Sequence, residues 1–101
     1  MNSEYQSVYR HADALRHKFR DVVDTPDDAE ARALYRGLDD LAEEFEKEKN
    51  PRSLEQMAKH LAEEFKHLNS SPTDVMDPRH LNEFKKALEE IAHEVRKFSN
   101  Y

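Results

Sequence analysis

Six histidines stand among many glutamates in this chain, and the chemistry such a mixture would suit is metal binding. The sharpest arrangement is a pair of Glu-x-x-His motifs, Glu64-Phe-Lys-His67 and Glu90-Ile-Ala-His93. Di-iron helical bundles use two such motifs and a further Glu from each of two other helices, all projecting inward. The heptad register of the neighbouring apolar residues tests that geometry. With Phe65 at a and Leu68 at d, Glu64 falls at g and His67 at c; with Leu88 at a and Ile91 at d, Glu90 falls at c and His93 at f. Three of the four ligands therefore face water, and no acid occupies the apolar seams of the first two helices. Neither a buried di-metal centre nor any cofactor is expected. His60 and Glu64, four apart, could chelate a stray surface ion with His67 flanking. His11 and His17 fall at g and f, and His80 lies in the first turn of the last helix, all read as solvated polar positions.

Other chemistries find less. Ser3, Ser53 and Asp77 are accounted for as helix caps, so none needs a nucleophile or base role. Asp39 and Asp40 fall at b and c, and general acid–base work requires a pKa moved by burial or a close like charge. The single glycine excludes a glycine-rich phosphate loop, and the absence of cysteine excludes thiolate metal sites, redox pairs and disulfides. The chain is expected not to be an enzyme. Its 16 basic and 22 acidic residues leave a net charge of −6, which disfavours binding to a nucleic-acid backbone. Arg10, Arg16, Lys18 and Arg20 share the first helix, but residues 1–25 are neutral overall, so this is a mixed face.

The net charge is unevenly spread. Residues 26–50 carry nine acids against four bases, whereas 1–25 and 77–101 each sum to zero and 51–76 to −1. The ordinary reading of the acidic quarter is a solvated helix face. The sharper one is a docking surface for a basic protein partner, with Asp39, Asp40 and Glu43 as its candidate residues.

The elements that would carry these residues are set by apolar periodicity. Four runs follow a 3-4 rhythm: Tyr5, Val8, Ala12, Leu15, Phe19, Val22; Ala31, Leu34, Leu38, Leu41, Phe45; Leu54, Ala58, Leu61, Phe65, Leu68; and Leu81, Phe84, Leu88, Ile91, Val95, Phe98. Each is the a/d seam of an amphipathic helix. Tyr9, Val23, Tyr35, Ala42, Ala62 and Ala92 at e widen the seams into stripes that must bury one another. Ser3 with Gln6 reads as a capping box, Thr25-Pro26-Asp27-Asp28 as a second start, Ser53 with Gln56 as a third and Asp77-Pro78 as a fourth. The pattern predicts helices near 3–23, 26–49, 53–69 and 78–99, with an irregular stretch from Asn69 to Met76. Short connections make sequential helices antiparallel neighbours. The expected fold is all-α, an antiparallel up-down-up-down four-helix bundle filling a single domain over 1–101. Leu41-Ala-Glu-Glu-Phe45 recurs as Leu61-Ala-Glu-Glu-Phe65, but the flanks do not match and the recurrence reads as composition.

One stretch has a familiar form. Thr25-Pro26-Asp27-Asp28 followed by Leu34-Tyr35-Arg36-Gly37-Leu38-Asp39-Asp40-Leu41-Ala42-Glu43 resembles helix 2 of histidine phosphotransfer domains, above all those of chemotaxis histidine kinases. Tyr35, Arg36, Leu38 and Leu41 match that family in type and spacing, and its host fold is also a helical bundle. Asp39 stands where the family has its phosphoryl-accepting histidine, Ala42 where it has lysine and Glu43 where it has glycine. The resemblance therefore implies the scaffold without the activity.

Capping, seams and helix propensity agree nearly everywhere, as they do in designed sequences. The sequence reading accordingly expects a designed or redesigned bundle, specified for folding and needing no partner. Its alternatives are a natural interaction module using the acidic face of helix 2, or an inactive phosphotransfer-like domain. No run of about 18 apolar residues occurs, and Met-Asn-Ser-Glu-Tyr lacks the regions of a signal peptide, so no membrane association and a cytoplasmic location are expected.

Overall fold

Each helix starts where an Asn or Asp oxygen can accept a backbone N–H that has no partner within the helix. In the computed structural model, which describes residues 2–99, Asn2 Oδ1 accepts from Glu4 N at 2.8 Å and Asp28 Oδ1 from Glu30 N at 2.7 Å. Asn50 Oδ1 accepts from Arg52 N at 2.9 Å and Asp77 Oδ1 from Arg79 N at 2.7 Å. The resulting helices are α1 (Ser3–Val22), α2 (Ala29–Glu46), α3 (Pro51–Asn69) and α4 (Pro78–Ser99). Among the described residues there is no strand, and no helix is long and apolar enough to cross a membrane.

Three expected starts are corrected. Asn2 caps α1 in place of Ser3. Asn50 caps α3 in place of Ser53, because Pro51 at the first position has its φ preset and no N–H to satisfy. Helix α2 starts three residues later than Pro26: Asp28 N donates to Thr25 O at 3.0 Å, closing a turn around Pro26-Asp27. The Thr25 hydroxyl, expected as a cap, is instead a buried oxygen with no hydrogen-bond partner. At its other end α2 stops at Glu46, not at Asn50's threshold. Glu48 N donates to Phe45 O at 3.0 Å and Lys49 N to Glu44 O at 3.2 Å, with Glu48 at φ 53°. This is a Schellman closure with glutamate in the left-handed position that glycine usually fills.

The seams pack as their period requires. Every a/d residue named above is buried except Tyr5, Val22 and Leu68, which are half-buried, and Phe98, whose side chain lies outside the described residues. Phe65 and Phe84 stack at 5.1 Å between centroids, and Phe19 meets both edge-on at 6.4 and 5.9 Å. Tyr35 tilts against Phe19 at 5.9 Å. Fully burying one such ring contributes roughly 1.5–3 kcal/mol, so this cluster joins three helices and the flank of the fourth. The radius of gyration, 13.1 Å, is that of a compact chain of this length.

Packing is uneven around the bundle. Helix α3 lies most extensively against α4, and α1 next most against α2, while α1·α4 and α2·α3 are narrower contacts. Helices α2 and α3 approach closely at Gly37. A Cβ there would collide with Leu61 Cδ2, with Leu61 Cγ 3.5 Å away. The 70–77 connection is also more than a loop: Val75 and Met76 are buried in the core, and Asp24 N donates to Val75 O at 2.8 Å.

Candidate functional site

Helix α2 has an open groove along each side. Its b and e positions, Arg32, Tyr35 and Asp39, turn towards α1, and its c and g positions, Glu30, Ala33 and Gly37, turn towards α3.

The groove on the α1 side has a volume of about 440 Å³. Phe19, Val23, Pro26 and Ala31 form its apolar wall, and Arg20, Arg32, Tyr35, Arg36 and Asp39 line the rest. The Arg20 guanidinium lies over the Tyr35 ring, 4.8 Å from the centroid, within range of a cation–π attraction. Asp39 is spoken for: Arg16 Nη1 donates to its Oδ1 at 2.6 Å, while Arg16 Nε donates to Asp13 Oδ1 at 2.7 Å. Burial works against the Arg16 charge, but the hydrogen bonds to Asp13 and Asp39 outweigh it and raise the guanidinium pKa.

The groove on the α3 side is of similar size, about 450 Å³, and opposite in character. Ala33, Leu34 and Leu68 supply an apolar floor, and Glu30, Glu63 and Glu64 an acidic rim with His60 and His67. His60 Nε2 lies 3.0 Å from Glu64 Oε1.

Of the three residues expected to form one acidic face, Asp39 is half-buried and ion-paired to Arg16 of α1, while Asp40 and Glu43 are exposed. His67, Glu90 and His93 are exposed, as their register places them. Among the described residues no three His, Asp or Glu side chains converge as a metal-holding group. His11 Nδ1 instead lies 3.2 Å from Glu94 Oε1, joining α1 to α4, and His17 Nδ1 lies 2.8 Å from Asp13 O. Lys18 and Glu83 form a second bridge between α1 and α4.

Sequence reasoning passed over Glu55, the buried charged residue of the core, 4% exposed. Lys59 Nζ lies 2.8 Å and Arg96 Nη1 3.4 Å from its Oε2. The hydrogen bond from Lys59 lowers the carboxyl pKa by more than burial raises it, with Arg96 adding to the effect. The signal was present: Glu55 shares the e position of buried Ala62 one heptad on, and has a lysine at i+4.

Compared with models of protein families, with curated proteins and with solved structures, the chain matches none.

Proposed function

We propose that the chain is a non-catalytic, cytoplasmic protein-interaction module whose α2/α3 groove receives a basic amphipathic helix from a partner protein. The observation that carries this reading is the groove itself, apolar along Leu34 and Leu68 and acidic along Glu30, Glu63 and Glu64. Helix-in-groove recognition needs that combination, apolar anchors for affinity and flanking charge for orientation and on-rate. A groove of about 530 Å³ also runs between α3 and α4, but only Ala62 and Ala92 are apolar in its lining, and Lys59 and Arg96 stand among its acids, so it lacks the leucine floor and the acidic rim. The scaffold is read as an antiparallel up-down-up-down bundle. Supporting that order, Tyr5 Oη donates to Lys49 O and Arg16 to Asp39 along α1 and α2, while Phe65 meets Phe84 and Glu55 meets Arg96 along α3 and α4.

The test is fluorescence anisotropy with a labelled amphipathic Lys/Leu peptide and an Asp/Leu peptide of the same pattern. The Lys/Leu peptide is expected to bind, the Asp/Leu peptide not, and Glu63→Lys with Glu64→Lys to abolish binding while leaving the helical content unchanged. Equal binding of both peptides, or binding indifferent to these changes, overturns the reading.

A second reading, a designed or redesigned bundle with no partner, is favoured by one feature: all four helix starts carry an Asn or Asp cap. Such consistency leads to hyperstability, a melting temperature above roughly 80 °C, whereas natural domains usually melt at about 45–65 °C. A circular dichroism melt separates the two readings.

A further inference from the structure

The arginines of the α1/α2 groove have a use that the acidic groove does not explain. The acid-rich stretch 26–50 holds only four bases, two of them Arg32 and Arg36, and both line this one groove beside Arg20 of α1. Arg32 and Arg36 are four apart and so share a helix face. Both are exposed, and among the described residues neither is ion-paired. Arg20 spends its flat face on the Tyr35 ring, and stacking leaves guanidinium N–H donors available. The single acid of the lining, Asp39, is neutralised from behind by Arg16 at 2.6 Å. Asp28, at the head of the same helix, is committed to the Glu30 amide. Three guanidinium groups around one opening thus keep unused donors in a chain with a net charge of −6.

We propose that this groove binds an aryl phosphate. The anion would be met by Arg32 and Arg36 as forked donors, with Arg20 closing from α1, because planar guanidinium groups match phosphate oxygens in bidentate fashion. The aromatic body would lie on the apolar wall formed by Phe19, Val23 and Pro26. That wall makes a bare inorganic anion the poorer ligand, since it would leave the apolar surface wet. The volume, about 440 Å³, falls within the range of small-molecule sites, roughly 300–1,000 Å³. The chemistry is shared by small aromatic phosphates and by a phosphotyrosine side chain.

The experiment is a calorimetric titration of the whole chain with phenyl phosphate, inorganic phosphate and phenol in turn, followed by a phosphotyrosine peptide and its unphosphorylated form. One phenyl phosphate is expected to bind per chain, at least about tenfold more tightly than inorganic phosphate or phenol. Arg32→Gln and Arg36→Gln are each expected to weaken it about tenfold, the scale of a lost charge-assisted hydrogen bond, without changing the melting curve. Glu90→Gln, exposed on α4, leaves it unchanged. Tighter binding of the phosphotyrosine peptide than of phenyl phosphate assigns the ligand to a polypeptide, and equal binding assigns it to a small molecule. Three results overturn the proposal: no heat with phenyl phosphate at millimolar concentration, equal affinity for inorganic phosphate, or affinity indifferent to Arg36→Gln.

Discussion

The two sides of α2 are built from one continuous helix, yet they carry opposite charge. Towards α1 stand Arg32 and Arg36, with the carboxylate of Asp39 already paired; towards α3 stand Glu30 and, from the neighbouring helix, Glu63 and Glu64. A count of charge along the sequence makes this helix simply acidic. The bundle sorts that charge laterally, so that the same helix offers an acidic groove and a basic one about half a turn apart. Surface potential here belongs to pairs of helices, and a residue's meaning depends on which neighbour its heptad position faces.

Leu38 lies between the two sides and is wholly buried. Replacing it with alanine should collapse the distinction by loosening both contacts at once, at a cost of about 2–5 kcal/mol in urea unfolding. Equal loss from Asp40→Ala would show the register to be wrong. A smaller effect is expected from Arg16→Met, which releases Asp39 into the basic groove and removes charge-assisted hydrogen bonds that contribute about 1–2 kcal/mol. It should also weaken phenyl phosphate binding, since the freed carboxylate repels the anion; a variant that binds more tightly would break the assigned role of Arg16.

The α3/α4 face gives a reference for a charge that is fully enclosed. Because the folded-state pKa of Glu55 is depressed, its stabilisation is present above the ordinary carboxyl value and is lost as pH falls through the depressed one. Wild type should therefore lose more stability on acidification than Glu55→Gln, by about 1 kcal/mol, as read from urea midpoints at neutral and acidic pH. Parallel curves would show that the pair with Lys59 contributes nothing. The smallest change is expected at Gly37. Alanine there gains about 1 kcal/mol of helix propensity but must push Leu61 aside, so the net shift in urea midpoint should stay below about 1 kcal/mol. Gly37→Leu, which cannot be accommodated by one methyl swinging away, should widen the α2/α3 groove and destabilise clearly.

The helices were legible because a 3-4 period specifies a buried stripe whatever the neighbours are; Leu38, Leu61 and Leu88 fall where that period puts them. Caps were less legible. Asn2-Ser3 and Asn50-Pro51-Arg52-Ser53 each offer two competent oxygens within three residues, and the choice between them depends on backbone geometry that composition does not carry. Asp39, Asp40 and Glu43 share one arc of the helix by their spacing, but the spacing carries no sign that Arg16 on another helix claims the first of them. Helix propensity counts Gly37 only as a cost of about 1 kcal/mol and carries no sign of the close packing of Leu61 against it. Val75 and Met76 make too short a segment to show any period, so their burial left no trace in the pattern.

The bond from Asp24 N to Val75 O ties the α1–α2 connection to the α3–α4 connection across half the chain, and its consequence is kinetic. The helices can pair α1 with α2 and α3 with α4 through contacts close in sequence, which form quickly. The latch between the connections, with Val75 and Met76 buried beneath it, requires both pairs to be in place and so belongs after the rate-limiting barrier. Truncating Val75 should then leave the refolding limb of a chevron in place and steepen the loss on the other side, with unfolding faster and folding unchanged. The connection that looked least ordered in the sequence would set how long the native state lasts.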